Sequence, residues 1–192
     1  GRGDAPREAS PRLYDFALAV GIRRNEYMHL CGHDLVVDES GYPCVRVRRG
    51  KGGKYQEQQI APKDVGFVRS FFDGSEGRIF SDEEMKNKID LHHLRALRAQ
   101  RAYHDYLARL KSDPDYRAQL TEEVRRRWVR LCSKRWDPNC VEGNYCIRGN
   151  SRRLALAHGL PVKYDRLAVM AVSIFHLSHW RCDVTVANYL LA

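Results

Sequence analysis

Several things are absent from this sequence, and each absence closes off a class of protein. No apolar run approaches the ~20 residues that a membrane-spanning helix needs; the longest, 167–177, is interrupted by Ser173 and His176. No CxxC pair occurs. The six cysteines (Cys31, Cys44, Cys132, Cys140, Cys146 and Cys182) are too few and too scattered for a secreted disulfide scaffold. Zinc sites show tighter ligand spacing, so the expectation is no metal and reduced, mostly buried thiols. The first ten residues are small and polar, without a hydrophobic signal segment. These absences predict a cytoplasmic protein with no membrane association.

What is present is basic charge on a globular composition. The 192 residues carry 33 Lys+Arg against 24 Asp+Glu, a net charge of +9. A hydrophobic content of 43% is enough to bury a core and excludes a wholly disordered chain. A pI near 9.4 makes a polyanion the leading partner class.

Periodicity predicts a mainly α chain with a small antiparallel β-sheet. Residues 1–10 read as a flexible leader, and 11–192 as a single domain with no internal boundary. From Pro11 the spacing of Leu13, Phe16, Ala17 and Val20 is helical, and Gly21 ends that helix. Residues 33–38, 44–48 and 55–60 read as three strands of a meander. After Pro62 the chain turns helical. Ser81 with Glu84 forms a capping box, 91–110 is a long basic helix, and 113–133 carries Leu120, Val124, Trp128 and Leu131 on one face. Residues 137–149 read as a loop, followed by short helices around 151–158, 164–179 and 184–191.

Four segments carry chemistry. In Gly21-Ile22-Arg23-Arg24-Asn25-Glu26-Tyr27 a turn presents Arg23 at a helix start, with Glu26 three residues on and on the same face. Gly50-Lys51-Gly52-Gly53-Lys54 is no Walker A loop, because the spacing is wrong and a strand follows. It can hold Lys51 on a hairpin tip, within reach of a phosphate, or be a flexible hairpin with solvated lysines. In His92-His93-Leu94-Arg95, His92 and Arg95 are i, i+3 neighbours, an imidazole and a guanidinium suited to one phosphate oxygen; a generic basic helix face is the bland alternative. Last come Leu177-Ser178-His179-Trp180 and Tyr189, a tyrosine that by helical spacing alone would be a core residue.

Taken in order, these segments resemble the catalytic domain of the tyrosine recombinases, the phage-integrase family. Arg23 resembles that family's first catalytic arginine, Glu26 the acidic residue after it, and Lys51 the lysine of its β-hairpin. His92 and Arg95 match the second box. His179 in Leu-Ser-His is similar to the family's Leu-Gly-His, with Trp180 the alternative, since counting back from the tyrosine lands there. Tyr189 falls where the nucleophile stands. The stretch between Arg95 and His179 is longer than the family pattern, so 105–160 is expected to be an inserted helical element.

The resemblance implies a tyrosine recombinase catalytic-domain fold and a site-specific DNA recombinase or integrase of a mobile element. Tyr189 would attack a DNA phosphodiester, leaving a 3′-phosphotyrosyl link and a free 5′-hydroxyl. Phenols have a pKa of about 10, so the nucleophile needs activation. Arg23 and Arg95 would clamp the non-bridging oxygens. Lys51 would protonate the leaving oxygen, His92 would help take the tyrosine proton, and His179 or Trp180 would hydrogen-bond the phosphate. Glu26 would orient Arg23. No cofactor is implied. Arg24, Lys54, Arg98 and Arg101 are expected on the duplex, and Arg125, Arg126 and Arg127 either there or on a solvated helix face. The implied partners are double-stranded DNA with att-type sites and further copies of the chain, as a tetramer on synapsed DNA and a monomer without it, in the bacterial cytoplasm or nucleoid. The chain reads as a catalytic fragment cut at both ends. Same-chemistry alternatives are a type IB topoisomerase or a telomere resolvase; the non-catalytic alternative is a basic DNA-binding module.

Overall fold

The computed structural model describes residues 4–191. It is mixed: ten α-helices, a three-stranded antiparallel sheet and a second, two-stranded one among the described residues. Two compact units divide the chain, one up to Arg98 and one from Ala99 onward, where the sequence reading expected one undivided domain. The division falls inside the longest helix, so no proline-rich or glycine-rich linker marks it.

The first unit begins with α1 (Asp4–Ala9), inside the segment read as a flexible leader; residues 1–3 lie outside the described residues. Pro6 falls in its first turn, where proline is tolerated, and Arg7 pairs with Asp15 at 3.1 Å. Helix α2 (Pro11–Val20) buries Leu13, Phe16, Ala17 and Val20, the face its spacing predicts. It ends at Gly21, whose φ of 66° is the left-handed cap that glycine accepts without strain. A short α3 (Arg24–Tyr27) follows. The meander is β1 (Leu35–Val37), β2 (Pro43–Val47) and β3 (Gln56–Gln59), with Leu35 opposite Val45 and Val47 opposite Gln56. Helices α4 (Val65–Arg69) and α5 (Asp82–Met85) complete the covering, the second opened by the Ser81–Glu84 capping box in both directions. The core centres on Phe16, which meets Tyr27, Phe71 and Phe80 edge-on. Such ring pairs add about 0.5–1.5 kcal/mol each beyond the area they bury.

Helix α6 (Leu91–Ser112) starts in the first unit and continues into the second. There it is followed by α7 (Tyr116–Leu131), whose buried face holds Leu120, Val124 and Trp128 as expected, and also Glu123 and Arg127. The segment read as a loop contains a strand, β4 (Asn144–Cys146), which pairs with β5 (Lys163–Asp165) across α8 (Gly149–Ala157). A three-residue strand is too short to show alternation, which is why sequence periodicity misses it. After Arg166, helix α9 (Arg166–Val172) is apolar and buried at every position, as expected of a helix that is hydrophobic all round. It runs into a π-helical turn, Ser173–Leu177, and α10 (Cys182–Thr185) runs into another, Val186–Leu190.

Candidate active site

In the first unit the positions singled out by sequence form one connected arrangement. Arg23 sits just before α3 with extended backbone. Its backbone N–H donates to Glu26 Oε2 at 2.8 Å and its Nη1 to Glu26 Oε1 at 2.9 Å. Glu26 is buried, and Gln56 of β3 donates to the same Oε1 at 2.8 Å. The carboxylate thus fixes Arg23 from two sides and ties it to the hairpin. Gly50, at the base of that hairpin, lies so close to the Gln56 amide that a Cβ there would collide with it. Lys51 opens an exposed 3₁₀ turn, Lys51–Gly53, beyond this anchored base, and Lys54 is exposed after it.

The amino end of α6 supplies the rest. Asp90 accepts from the His93 N–H at 2.9 Å, capping a 22-residue helix. His92 is exposed in the first turn, whereas Arg95 is only 1% exposed and donates to the Gly21 carbonyl at 2.7 Å. Burying a guanidinium is costly unless its hydrogen bonds are met, so the Gly21 turn and Arg95 depend on each other. Arg23, Arg24, His92 and Arg95, with Ile22 and residues 89–91, line one pocket of about 340 Å³. It combines three guanidinium groups, an imidazole and the positive end of a long helix, a setting for an oxyanion.

Two expected DNA-binding arginines are otherwise engaged. Arg98 is buried, and its Nε donates to the Ala19 carbonyl at 2.9 Å, so it secures α2 to α6 and is not an exposed phosphate contact. Arg24 donates to the Ile89 and Met85 carbonyls at 2.6 and 3.2 Å, holding the loop before α6 while lining the pocket. Arg101 is half-buried on α6. Arg127 is buried with its guanidinium 5.0 Å from the Phe175 ring, neither on a solvated face nor at a surface, whereas Arg125 and Arg126 pair with Glu122.

In the second unit, His179 and Tyr189 meet. His179 Nε2 lies 3.0 Å from the Tyr189 hydroxyl. The Tyr189 residue is 4% exposed, on the π-helical turn, while His179 is half-buried. Gln100 of α6 donates to the Tyr189 carbonyl at 2.9 Å, and the His179 N–H to the Ser173 carbonyl at 3.0 Å. Ser178 and Trp180 flank His179 with φ of 55° and 60°, both left-handed. Trp180 packs edge-on against Trp128, which meets Trp136 in the same way. Residues 105–160, read as an insertion, therefore supply the bed beneath the strained turn that carries His179. Trp180 spends its ring on that packing, and His179 is the one that reaches the tyrosine.

Gln56, Asp90 and Gln100 were not picked out by sequence, and Trp128 only as part of an apolar helix face. Asp90 had a readable signal, an N-cap residue directly before a helical run; the other three act through contacts distant in sequence. The thiols are mixed: Cys31, Cys44 and Cys182 are buried, Cys132 and Cys140 half-buried, and Cys146 exposed. Burial pushes the Cys140 and Cys182 thiols up to about 11. Among the described residues no three His, Cys, Asp or Glu side chains converge as metal ligands do, and no helix is long and apolar enough to cross a membrane.

No protein-family model matches this chain, and no curated protein or solved structure matches it either.

Proposed function

We propose that the chain is the catalytic domain of a site-specific DNA recombinase of the tyrosine class, cutting and rejoining DNA through a 3′-phosphotyrosyl intermediate. The observation that carries this reading is the first-unit pocket. Arg23 lines a single cavity at the amino end of α6 with His92 and Arg95, far from it in sequence, and each of the three matches a recombinase motif. A structural ion-pair network would need neither the exposed imidazole nor a cavity. Two details add support. Ser178 has the backbone of a glycine, which is what the family's Leu-Gly-His carries at that position. Glu26 holds Arg23 through both of its oxygens.

On this reading Arg23 and Arg95 neutralise the non-bridging oxygens of the scissile phosphate as charge grows in the pentacoordinate transition state. His92 adds a hydrogen bond. Lys51, on its exposed turn, gives its proton to the leaving 5′-oxygen. Tyr189 is the nucleophile. The phosphodiester energy is kept in the protein–DNA bond, so rejoining needs no external energy source. Double-stranded DNA with att-type sites is the substrate, strand exchange takes place between copies of the chain assembled on two such sites, and the cytoplasm is the setting.

The test is capture of a detergent-stable adduct on nicked duplexes with a randomised core. Wild-type protein is expected to give an adduct that Tyr189→Phe abolishes and that Arg23→Ala or Arg95→Ala lowers by about 10²-fold or more. No adduct from the wild type overturns the recombinase reading. Relaxation of supercoiled DNA without pairing of two sites would assign the same chemistry to a topoisomerase.

A further inference from the structure

We infer that His179 is the group that takes the proton from Tyr189 when the tyrosine attacks, an inference that rests on the recombinase reading. A neutral phenol is a poor nucleophile near neutral pH, so an acceptor must stand within hydrogen-bond reach of its hydroxyl. His179 stands within that reach, with Nε2 at 3.0 Å from the hydroxyl and the ring centroids 5.3 Å apart. A neutral imidazole unprotonated at Nε2 is a suitable base at that distance. His92, the acceptor implied by the resemblance, belongs to the first-unit pocket with Arg23 and Arg95.

The geometry around the pair is built to keep it. The backbone of His179 is pinned to Ser173, and that of Arg181 to the Ser173 hydroxyl at 3.1 Å. The left-handed residues on each side of His179, Ser178 and Trp180, end the path of the preceding helix there. On the other side, Gln100 holds the Tyr189 carbonyl. A residue whose task was only to donate to a phosphate would not need its Nε2 directed at the nucleophile.

The Tyr189 O–H bond breaks and its proton passes to His179 Nε2, giving imidazolium. The phenolic oxygen forms a bond to phosphorus as the bond from phosphorus to the 5′-oxygen breaks, and that oxygen takes its proton from Lys51. Rejoining runs the same path backward, with His179 returning the proton to the departing phenol.

His179→Gln keeps a hydrogen-bond donor and loses the base. It is expected to slow adduct formation by about 10²-fold or more. Replacing Tyr189 in that variant with a ring-fluorinated tyrosine, whose phenol ionises without help, should restore most of the rate. A wild-type rate in His179→Gln, or a defect that fluorination leaves unchanged, would overturn the inference while the wild-type adduct keeps the recombinase reading intact. Nitrogen NMR of the unsubstituted protein gives a second readout that does not depend on any variant folding. Nε2 should be the unprotonated nitrogen of neutral His179, and a protonated Nε2 in the neutral ring would count against the inference.

Discussion

The residue before His179 is held in a strained backbone conformation. Ser178 holds φ at 55°, a region that costs a non-glycine residue about 1–2 kcal/mol. Glycine there would relieve that strain but would lose about 0.5–1 kcal/mol through a freer unfolded chain. Ser178→Gly should therefore raise stability slightly, by about 0.5 kcal/mol, visible as a higher urea midpoint with an unchanged slope. A lower midpoint would mean that the serine side chain does something its backbone does not reveal. Trp180 is the contrasting case. Its φ of 60° is strained for so large a residue, yet its ring is locked on Trp128, so glycine there would lose more packing than strain.

At the scale of elements, β3 is the most unusual feature. Its four residues, Gln56, Glu57, Gln58 and Gln59, are all polar and all buried. Gln56 bonds Glu26, Glu57 accepts from the Tyr55 hydroxyl at 3.0 Å, and Gln59 donates to Asp38 at 2.8 Å. Gln58 is 0% exposed, and among the described residues neither end of its amide has a hydrogen-bond partner. Stranded amides cost about 1–3 kcal/mol. Gln58→Met, similar in shape and free of that cost, should stabilise the protein by about 1–2 kcal/mol in the same unfolding measurement. Destabilisation would show that the amide has a partner in solution.

The capping box of α5 gives a pH prediction at this same scale. Burial pushes the Glu84 carboxyl up, but the Ser81 N–H and the Arg12 guanidinium outweigh burial and hold it below the usual glutamate range. A lowered folded-state pKa contributes stability above the unfolded value and loses it as pH falls through the folded one. Wild-type protein should therefore lose stability on acidification below the ordinary glutamate range. Glu84→Gln should lose less over that interval and be the less stable variant at neutral pH. Parallel acid titrations of the two proteins would show a flat difference if the box contributes nothing.

At the scale of the whole molecule, the charge of +9 is spent unevenly. Arg98 and Arg127 are buried, Arg46 pairs with the buried Asp34 at 3.0 Å, and Arg117 with Asp165 at 2.6 Å. The ion pairs already cancel within the net count, but the two buried guanidiniums are included in it and do not face a duplex. If about six phosphates are neutralised, DNA affinity should fall about 10³-fold between 50 and 200 mM salt. Lys51→Ala and Lys54→Ala should each reduce the slope of log affinity against log salt by about one. Affinity insensitive to salt would remove duplex DNA as the partner.

The sequence by itself determined the elements whose physics is local. The face of α2, the capping box at Ser81, the three-stranded meander and the long basic helix all follow from spacing, because burial on one side of a helix or strand imposes its period on the residues. It also marked Arg23, Glu26, His92, Arg95, His179 and Tyr189, since each lies in a short motif. What only the tertiary structure decided was the use each side chain is put to. Charge looks the same in sequence whether a guanidinium is solvated or buried, so Arg98 read there as a duplex contact, whereas in the fold it is buried and a carbonyl from α2 claims it. His179 and its alternative Trp180 are neighbours in sequence, and the fold gives them different contacts: His179 Nε2 lies at the Tyr189 hydroxyl, while the Trp180 ring packs on Trp128. Long-range packing makes those choices, and no local pattern records it.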